Sequence, residues 1–541
     1  MRTEVGETRQ STPTPTAEAP PPRSEHPYIG ILGVFLGASV ATVNDRLLSI
    51  GLPDLRGALS LGFDEASWLP TVLKMAMMFA GIFCALLNAR TGPRAILLPS
   101  AAIFTISSIA LPFSPNLAVM FCLLAIAGLS SGTFYTLTLT FALTALPRRL
   151  VIFAIAAYAG DIVFASNMAT ALQAWYVEHL SWRWIFWNAA VFTPLMMLCV
   201  YFGVPRHHGA PTSPRPSWRG FAYFSLGLAL LVGALDQGER LDWLNSGVIV
   251  GMLAAGFFLV GAAWVRRIIQ PNPVVHLAFL WTRNIIILAG AIFVFRVTLL
   301  AGYLLIPGFL GNVQQYRALQ TGRTLAWVAM PQLVVVWLIA LLTIYSNSRL
   351  ILAAGLTMTA AACWICAHLD PSWAGSSFAA IELMLAIAFA FSYIGMVGSI
   401  VLQALEGGAL NRAADVATFS GFMHFSRIFG GAVGVAVMTR FISVREKFHS
   451  NLLGLHVQTG NWLTDERLKV VSGSVFPGST GWEEARERAI DLLGQQVRAQ
   501  AYTMAIADGF LLIVWLALGY LMLMLLLKPG RISYKDLRNM Q

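Results

Sequence analysis

Charge is scarce in this chain. Of 541 residues only 11% are Asp, Glu, Lys or Arg, whereas soluble domains carry about 25%. With 57% of the residues hydrophobic, a polytopic membrane protein is expected rather than a soluble core. Cysteine is also sparse: Cys84, Cys122, Cys199, Cys363 and Cys366 all lie in apolar runs, where thiols behave as small hydrophobes. No disulfide framework is implied, and the CxxC at Cys363 and Cys366 sits in AAACWICAHL, an apolar helical stretch rather than the βαβ setting of redox motifs. No GxxxxGK[ST] phosphate loop, nucleophile elbow or metal-ligand cluster occurs, so an enzyme or an ATP-driven pump is not expected, nor a cofactor or metal. The net charge of +10 could suit nucleic acid, but Lys and Arg fall largely in short gaps between apolar runs, so no nucleic-acid partner is expected.

What the chain does have is hydrophobic length. A bilayer core roughly 30 Å thick needs about 20 apolar residues as a helix. Such runs recur at 28–52, 67–88, 95–113, 118–144, 151–176, 185–204, 220–236, 247–265, 284–306, 324–344, 350–368, 377–403, 416–441 and 502–527. These are spans 1 to 14 of an all-α fold. An even count places both ends on one side. Arg90 and Arg94, Arg148 and Arg149, Arg206, Arg215 and Arg219, Arg266 and Arg267, Arg349, and the cluster Lys528, Arg531, Lys535 and Arg538 then share one face, which the positive-inside rule makes cytoplasmic. Residues 1–27 are Pro-rich and polar and read as a disordered cytoplasmic tail, with a second tail at 528–541. The one long link on the opposite face, 442–501, contains FISVREKFHSNLL and GWEEARERAIDLLGQQVRAQAY, whose helical spacing predicts that spans 13 and 14 continue outward as helices.

An ionisable side chain inside a span is costly unless paired or wetted, and so marks a candidate site. The set is Asp45, Arg46, Lys74, Asp161, Arg296, Glu382, His424, Arg427 and Asp508, four acids against four fixed bases and one imidazole. Asp45 and Lys74 fall at similar depths on antiparallel neighbours, so an Asp45–Lys74 contact is expected. Asp161 and Arg296 approach the midplane, where transport folds place their substrate sites. A proton carrier needs a carboxylate that changes exposure as a bundle rocks, and Asp45, Asp161 and Glu382 are the candidates. Arg46, Lys74, Arg296 and Arg427 are candidates for a substrate cavity or for ion pairs. Gly33 with Gly37, Gly128 with Gly132, and Gly430 with Gly434 predict close helix packing. A weak duplication also shows, with ARTGPRAILL after span 2 and SNSRLILAAG after span 10.

Seven stretches, in order, resemble the major facilitator superfamily, specifically its fourteen-span drug/proton antiporters. They are VNDRLLSIGLPDLRGAL with Asp45 in span 1; TGPR after span 2; HLSWRWIFWN entering span 6; ALDQGERLDWLNS after span 7; IPGFLGNVQQYRALQTG after span 9; VATFSGFMHFSRIFGGAVGVAV in span 13; and QAYTMAIADGF entering span 14. The resemblance covers about 28 to 527. It implies two six-helix bundles, 28–204 and 284–527, joined by a 205–283 linker carrying two additional central helices, in a bacterial inner membrane. Arg90, Gly92 and Arg94 would form the gating loop motif, with Ala85 and Ala89 where the family has Gly and Asp. Leu124 stands where span 4 of the family carries an Arg, and Ala169 and Thr170 replace the Gly-Pro of span 5.

The implied function is secondary active export of amphipathic organic compounds in exchange for protons by alternating access. Buried bases favour anions. The partners implied are the small-molecule substrate, protons, the lipid bilayer, and a periplasmic membrane-fusion adaptor with an outer-membrane channel. Two alternatives stay open. The missing span 4 Arg and span 5 Gly-Pro fit a facilitator or a differently coupled carrier, and a non-transporting receptor or assembly protein could use the same fold.

Overall fold

The computed structural model describes residues 26–144, 146–147, 150–206, 218–269, 282–406, 413–458, 460–479, 481–527 and 534–539. The tail expected over 1–27 lies outside these except for His26 and Pro27, as do most of the 528–541 tail, the stretches 207–217 and 270–281 of the 205–283 linker, and Arg148, Arg149, Arg215, Lys528 and Arg531 of the basic gaps.

Every described element is a helix. In lipid a backbone amide finds no water, so a spanning segment must satisfy its own hydrogen bonds, and an apolar run of this length does so as a helix. Among the described residues fourteen helices are long and apolar enough to cross a membrane: Pro27–Ile50, Phe63–Cys84, Pro93–Phe113, Leu117–Leu143, Val151–His179, Trp184–Gly203, Trp218–Gln237, Gly247–Ile269, Arg283–Asn312, Ala318–Tyr345, Ser348–Cys366, Gly375–Glu406, Thr418–Gly454 and Trp482–Met524. They are spans 1 to 14 as the sequence orders them. Local chemistry sets their ends. Pro27 and Pro93 open spans 1 and 3, where a missing amide hydrogen costs no helical bond. Gly92, at φ 77°, turns the chain directly from one helix into the next, a backbone that glycine alone adopts cheaply. Asn347 caps span 11 by accepting from the Arg349 amide at 3.1 Å.

Span 9 is irregular. It runs as Arg283–Thr298, widens into a π turn at Ala301–Leu305, and resumes at Ile306–Asn312. Such turns are rare and frequently occur at functional sites, and this one carries Tyr303.

Spans 1 to 6 pack on one another, with span 1 against 5 and 6, span 2 against 4, and span 3 against 4 and 6. Spans 9 to 14 form a second group, in which span 12 lies on 10 and 11, and span 14 on 11 and 13. The groups meet where span 5 lies on spans 10 and 12 and where span 13 lies on spans 2 and 4. Spans 7 and 8 pair with each other, and span 7 rests on spans 2 and 13.

The glycine pairs are contact points, as expected. A β-carbon on Gly128 would stand 2.6 Å from the Leu73 carbonyl oxygen, and one on Gly132 would stand 2.5 Å from that of Met77, so spans 2 and 4 touch through their backbones. Gly33 and Gly37 seat span 1 against Cys199 and Met196 of span 6. Gly430 and Gly434 seat span 13 against Arg296 and Val297 of span 9.

The weak duplication acquires a structural counterpart. Arg94, opening span 3, donates from Nη1 to the Val204 carbonyl just past span 6 at 3.3 Å. Arg349, opening span 11, donates from Nη1 to the Leu527 carbonyl just past span 14 at 3.2 Å. Each guanidinium satisfies a carbonyl left orphaned at a helix end, at corresponding places in the two groups of six.

Between spans 13 and 14 the helical extensions expected from the sequence are present, to Gly454 and from Trp482, with a separate helix Trp462–Val475 between them. Asp508 joins the two long helices: it accepts from Arg445 Nε at 2.6 Å and lies 2.7 Å from His449 Nε2.

Candidate functional site

The polar residues of the interior converge where the two groups of helices meet. Asp161, on span 5, is wholly buried and accepts a hydrogen bond from the Ser39 hydroxyl of span 1, while its other oxygen has no partner. Its neighbour Gly160 faces Val336 of span 10, so the acid stands beside the contact between the groups. Arg427 of span 13 acts on it electrostatically. That guanidinium lies 4.3 Å from the Tyr135 ring centroid and donates from Nη2 to Thr42 Oγ1 of span 1 at 2.7 Å.

A set of hydroxyls continues the seam. The Tyr135 and Tyr393 hydroxyls approach to 3.2 Å between spans 4 and 12. Tyr158 donates to the Tyr135 carbonyl at 2.7 Å, and Thr140 donates to Ser420 at 2.9 Å between spans 4 and 13. His424 is buried, with Nε2 3.1 Å from the Met77 carbonyl and its ring filling the space beside Gly81. Contacts of this type across the seam hold the present arrangement, and alternating access would exchange them for others.

The expected Asp45–Lys74 pair is replaced by another. Lys74 Nζ is 2.8 Å from Asp236 Oδ1 at the end of span 7, and Asp236 Oδ2 accepts from Thr71 at 2.5 Å. The network continues through Gln237, which donates to the Ser67 carbonyl at 2.8 Å, and through Arg240, which pairs with Asp64. Similar depth on adjacent helices had made Asp45 the natural partner, but span 7 lies against span 2 and brings its own acid to the ammonium. Asp45 keeps a buried oxygen without a partner and remains within electrostatic range of Lys74. Asp236 was missed because it ends its run, inside ALDQGERLDWLNS, where an acid reads as belonging to the loop.

The remaining candidates form no ion pair among the described residues. Arg46 lies over the Tyr303 ring at 3.9 Å. Arg296 packs against Gly431, belongs to no ion pair among the described residues, and leaves Nε without a partner there. Asp161 and Arg296 thus both line the interior without pairing. Glu382 is wholly buried in span 12 with neither carboxylate oxygen partnered, near Cys366. Of the loop motif, Gly92 makes the turn, Arg94 binds Val204 and lies 4.4 Å from the Tyr201 ring, and the Arg90 side chain lies outside the described residues. Leu124, at the position of the family's span 4 arginine, is buried among apolar neighbours. Sequence reasoning missed Ser39, Thr42, Tyr135, Tyr303 and Tyr393, because a hydroxyl or ring within an apolar run reads as packing. No group of three His, Cys, Asp or Glu suited to a metal occurs among the described residues.

The sequence matches the Major Facilitator Superfamily profile over residues 34–435. It is 22% identical over 497 residues to the colistin resistance protein EmrB of Acinetobacter baumannii, covering 88% of this chain and 91% of that protein. It is 22% identical over 500 residues to the multidrug export protein EmrB of Haemophilus influenzae, covering 92% and 95%. Among solved structures, the proton:xylose symporter XylE superposes with a TM-score of 0.54 at 11% identity over 95% of this chain and 98% of that one. The human organic anion transporter MFSD10 gives 0.52 at 13% identity over 91% and 99%. A match of this extent, on a helical fold with two packed groups of six spans and a further pair between them in sequence, settles the assignment: the chain belongs to the Major Facilitator Superfamily.

Proposed function

We propose that the protein exports amphipathic organic compounds in exchange for protons by alternating access, with Asp161 as the proton carrier. The observation that carries this reading is the placement of Asp161, buried at the crossing of spans 1 and 5 beside the contact of span 5 with span 10. A carboxylate there loses its cover when the two groups of helices rock apart, so it meets water from one side at a time. Arg427 supplies the nearby positive charge that Leu124 does not. Asp45 and Glu382 are the alternatives, but Asp45 neighbours Lys74 and Glu382 lies within the second group, near Cys366.

In this reading 28–204 and 284–527 are the two moving bundles in a bacterial inner membrane, with both termini cytoplasmic. The helices between spans 13 and 14 then stand on the periplasmic side. Their exposed Phe448, Leu452, Trp462 and Trp482 suit the docking of a membrane-fusion adaptor that continues to an outer-membrane channel. The name of the Haemophilus influenzae relative, a multidrug export protein, supports export. A second reading, downhill facilitation, draws on Leu124, Ala169 and Thr170 at positions where the family has Arg and Gly-Pro.

Accumulation in proteoliposomes separates the two. With the membrane potential clamped, a gradient of one pH unit stores about 1.4 kcal/mol per proton, so one-for-one exchange drives about tenfold accumulation. That is the expected result for an effective substrate. Equilibration without accumulation, indifferent to the gradient, would establish the facilitator.

A further inference from the structure

Three arginines on three different helices face one space, and no acid is paired with them. Arg427 of span 13 donates to Thr42 of span 1 at 2.7 Å, and Arg46 lies one turn beyond Thr42 on the same face. Arg46 stacks on Tyr303 of span 9 at 3.9 Å, and Arg296 lies two turns before Tyr303. Arg296 in turn packs against Gly431, one turn beyond Arg427, where a β-carbon would stand 2.9 Å from its Nη2. The circuit closes on itself. Arg296 feels both other guanidiniums, and no carboxylate is among the groups that act on it. None of the three belongs to an ion pair among the described residues; the acids close to them are Asp161, held by Ser39 and within electrostatic range of Arg427, and Asp45, next to Arg46 in the chain and within range of Lys74.

Like charges gathered in a low-dielectric interior repel, and unsatisfied buried donors are costly. Here Arg296 Nε, Arg427 Nη1 and the Tyr303 hydroxyl are all buried without partners, on an arginine–tyrosine circuit already short of negative charge. The groups converge from spans 1, 9 and 13, and both stacked tyrosines offer aromatic faces beside the charge. We infer that Arg46, Arg296 and Arg427 with Tyr303 form the head-group site for an anionic substrate, a carboxylate or sulfonate carried on an aromatic or alkyl body. The inference rests on the export reading and gives its substrate class. A guanidinium meets a planar or trigonal oxyanion through two parallel N–H donors, and the apolar body would lie along the tyrosine rings. A cation would add to the repulsion.

The test is a charge series on one ring system, using probes whose charge does not depend on pH: 2-naphthalenesulfonate, neutral 2-naphthalenesulfonamide and 2-naphthyltrimethylammonium. Binding to the full-length protein in nanodiscs, above that to empty discs, is expected to be at least about tenfold tighter for the sulfonate than for either of the others, the worth of one charge-assisted hydrogen-bonded pair. Arg296→Gln should bring the sulfonate to the level of the sulfonamide and leave the sulfonamide unchanged, and Arg296→Lys should restore part of the difference. Equal or tighter binding of the ammonium or the sulfonamide by the native protein overturns the inference, as does sulfonate binding unmoved by Arg296→Gln. If that variant does not fold, the series on the native protein decides alone. Proteoliposome transport of the ammonium or sulfonamide without preference for the sulfonate would overturn the anion site and leave export standing. The export reading is decided separately, by gradient-driven accumulation, and falls if compounds only equilibrate or if no compound of any charge is moved.

Discussion

Asp161→Asn is expected to reduce gradient-driven accumulation from about tenfold per pH unit to none, while substrate still equilibrates downhill. Asparagine keeps the volume and can still accept from Ser39, so the crossing of spans 1 and 5 stays packed. What it cannot do is take up and release a proton as the bundle exposes it to each side in turn. The gradient then has nothing to act on. Asp45→Asn and Glu382→Gln serve as the comparison, because both residues are acids within spans yet neither is held at the crossing of spans 1 and 5 by the Ser39 hydroxyl. Both variants should retain accumulation within about twofold, a difference of roughly 0.4 kcal/mol. If Glu382→Gln abolishes accumulation and Asp161→Asn keeps it, the carrier lies in the second group of spans and the assignment to Asp161 is wrong.

The second large effect concerns stability. Lys74→Met leaves the Asp236 carboxylate with the Thr71 hydroxyl alone, and removes a positive charge within electrostatic range of Asp45. Breaking a buried pair in this one-sided way costs about 3 kcal/mol, the low end of the usual range, because the two side chains retain 27% and 16% of their surface. Replacing both partners, Lys74→Met with Asp236→Leu, is expected to recover all but about 1 kcal/mol, since no uncompensated charge remains. Thermal unfolding in detergent, followed by tryptophan fluorescence, checks the cycle. Additive losses in the double variant would mean that the two residues do not depend on each other. The pair also fastens span 7 to span 2, so spans 7 and 8 are expected to travel with the first group during transport.

The number, order and approximate ends of the spans were legible in the sequence because lipid imposes a length on apolar runs. Span 14 shows the limit of that rule: its apolar part starts near 502, but the helix begins at Trp482, in a charged stretch read instead from i, i+4 spacing. The glycine pairs were legible too, since a missing side chain is itself the packing feature. Depth along a span could also be counted, which is why Asp161 and Arg296 were placed in the interior. Azimuth could not. Lys74 therefore acquired the wrong partner on paper: depth alone does not say which neighbouring helix a side chain faces, and span 7 lay outside the set considered. The tyrosines of the seam were hidden for a different reason. In an apolar run a tyrosine is indistinguishable from a packing aromatic until a hydroxyl such as that of Tyr393 is seen against another. The arginine circuit was half visible, as three bases inside spans, but its closure depends on a π turn in span 9 that nothing in VTLLAGYLLIPG announces.

Proton–substrate exchange is tested most directly by watching the proton itself. Weakly buffered proteoliposomes are loaded with an effective substrate and diluted into substrate-free medium with no pH gradient, and internal pH is followed with a trapped indicator. The account predicts that substrate leaving down its own gradient draws protons inward and acidifies the lumen, and that Asp161→Asn carries the same substrate flux without that signal. Substrate efflux from the native protein with no pH change beyond that of protein-free liposomes would contradict it.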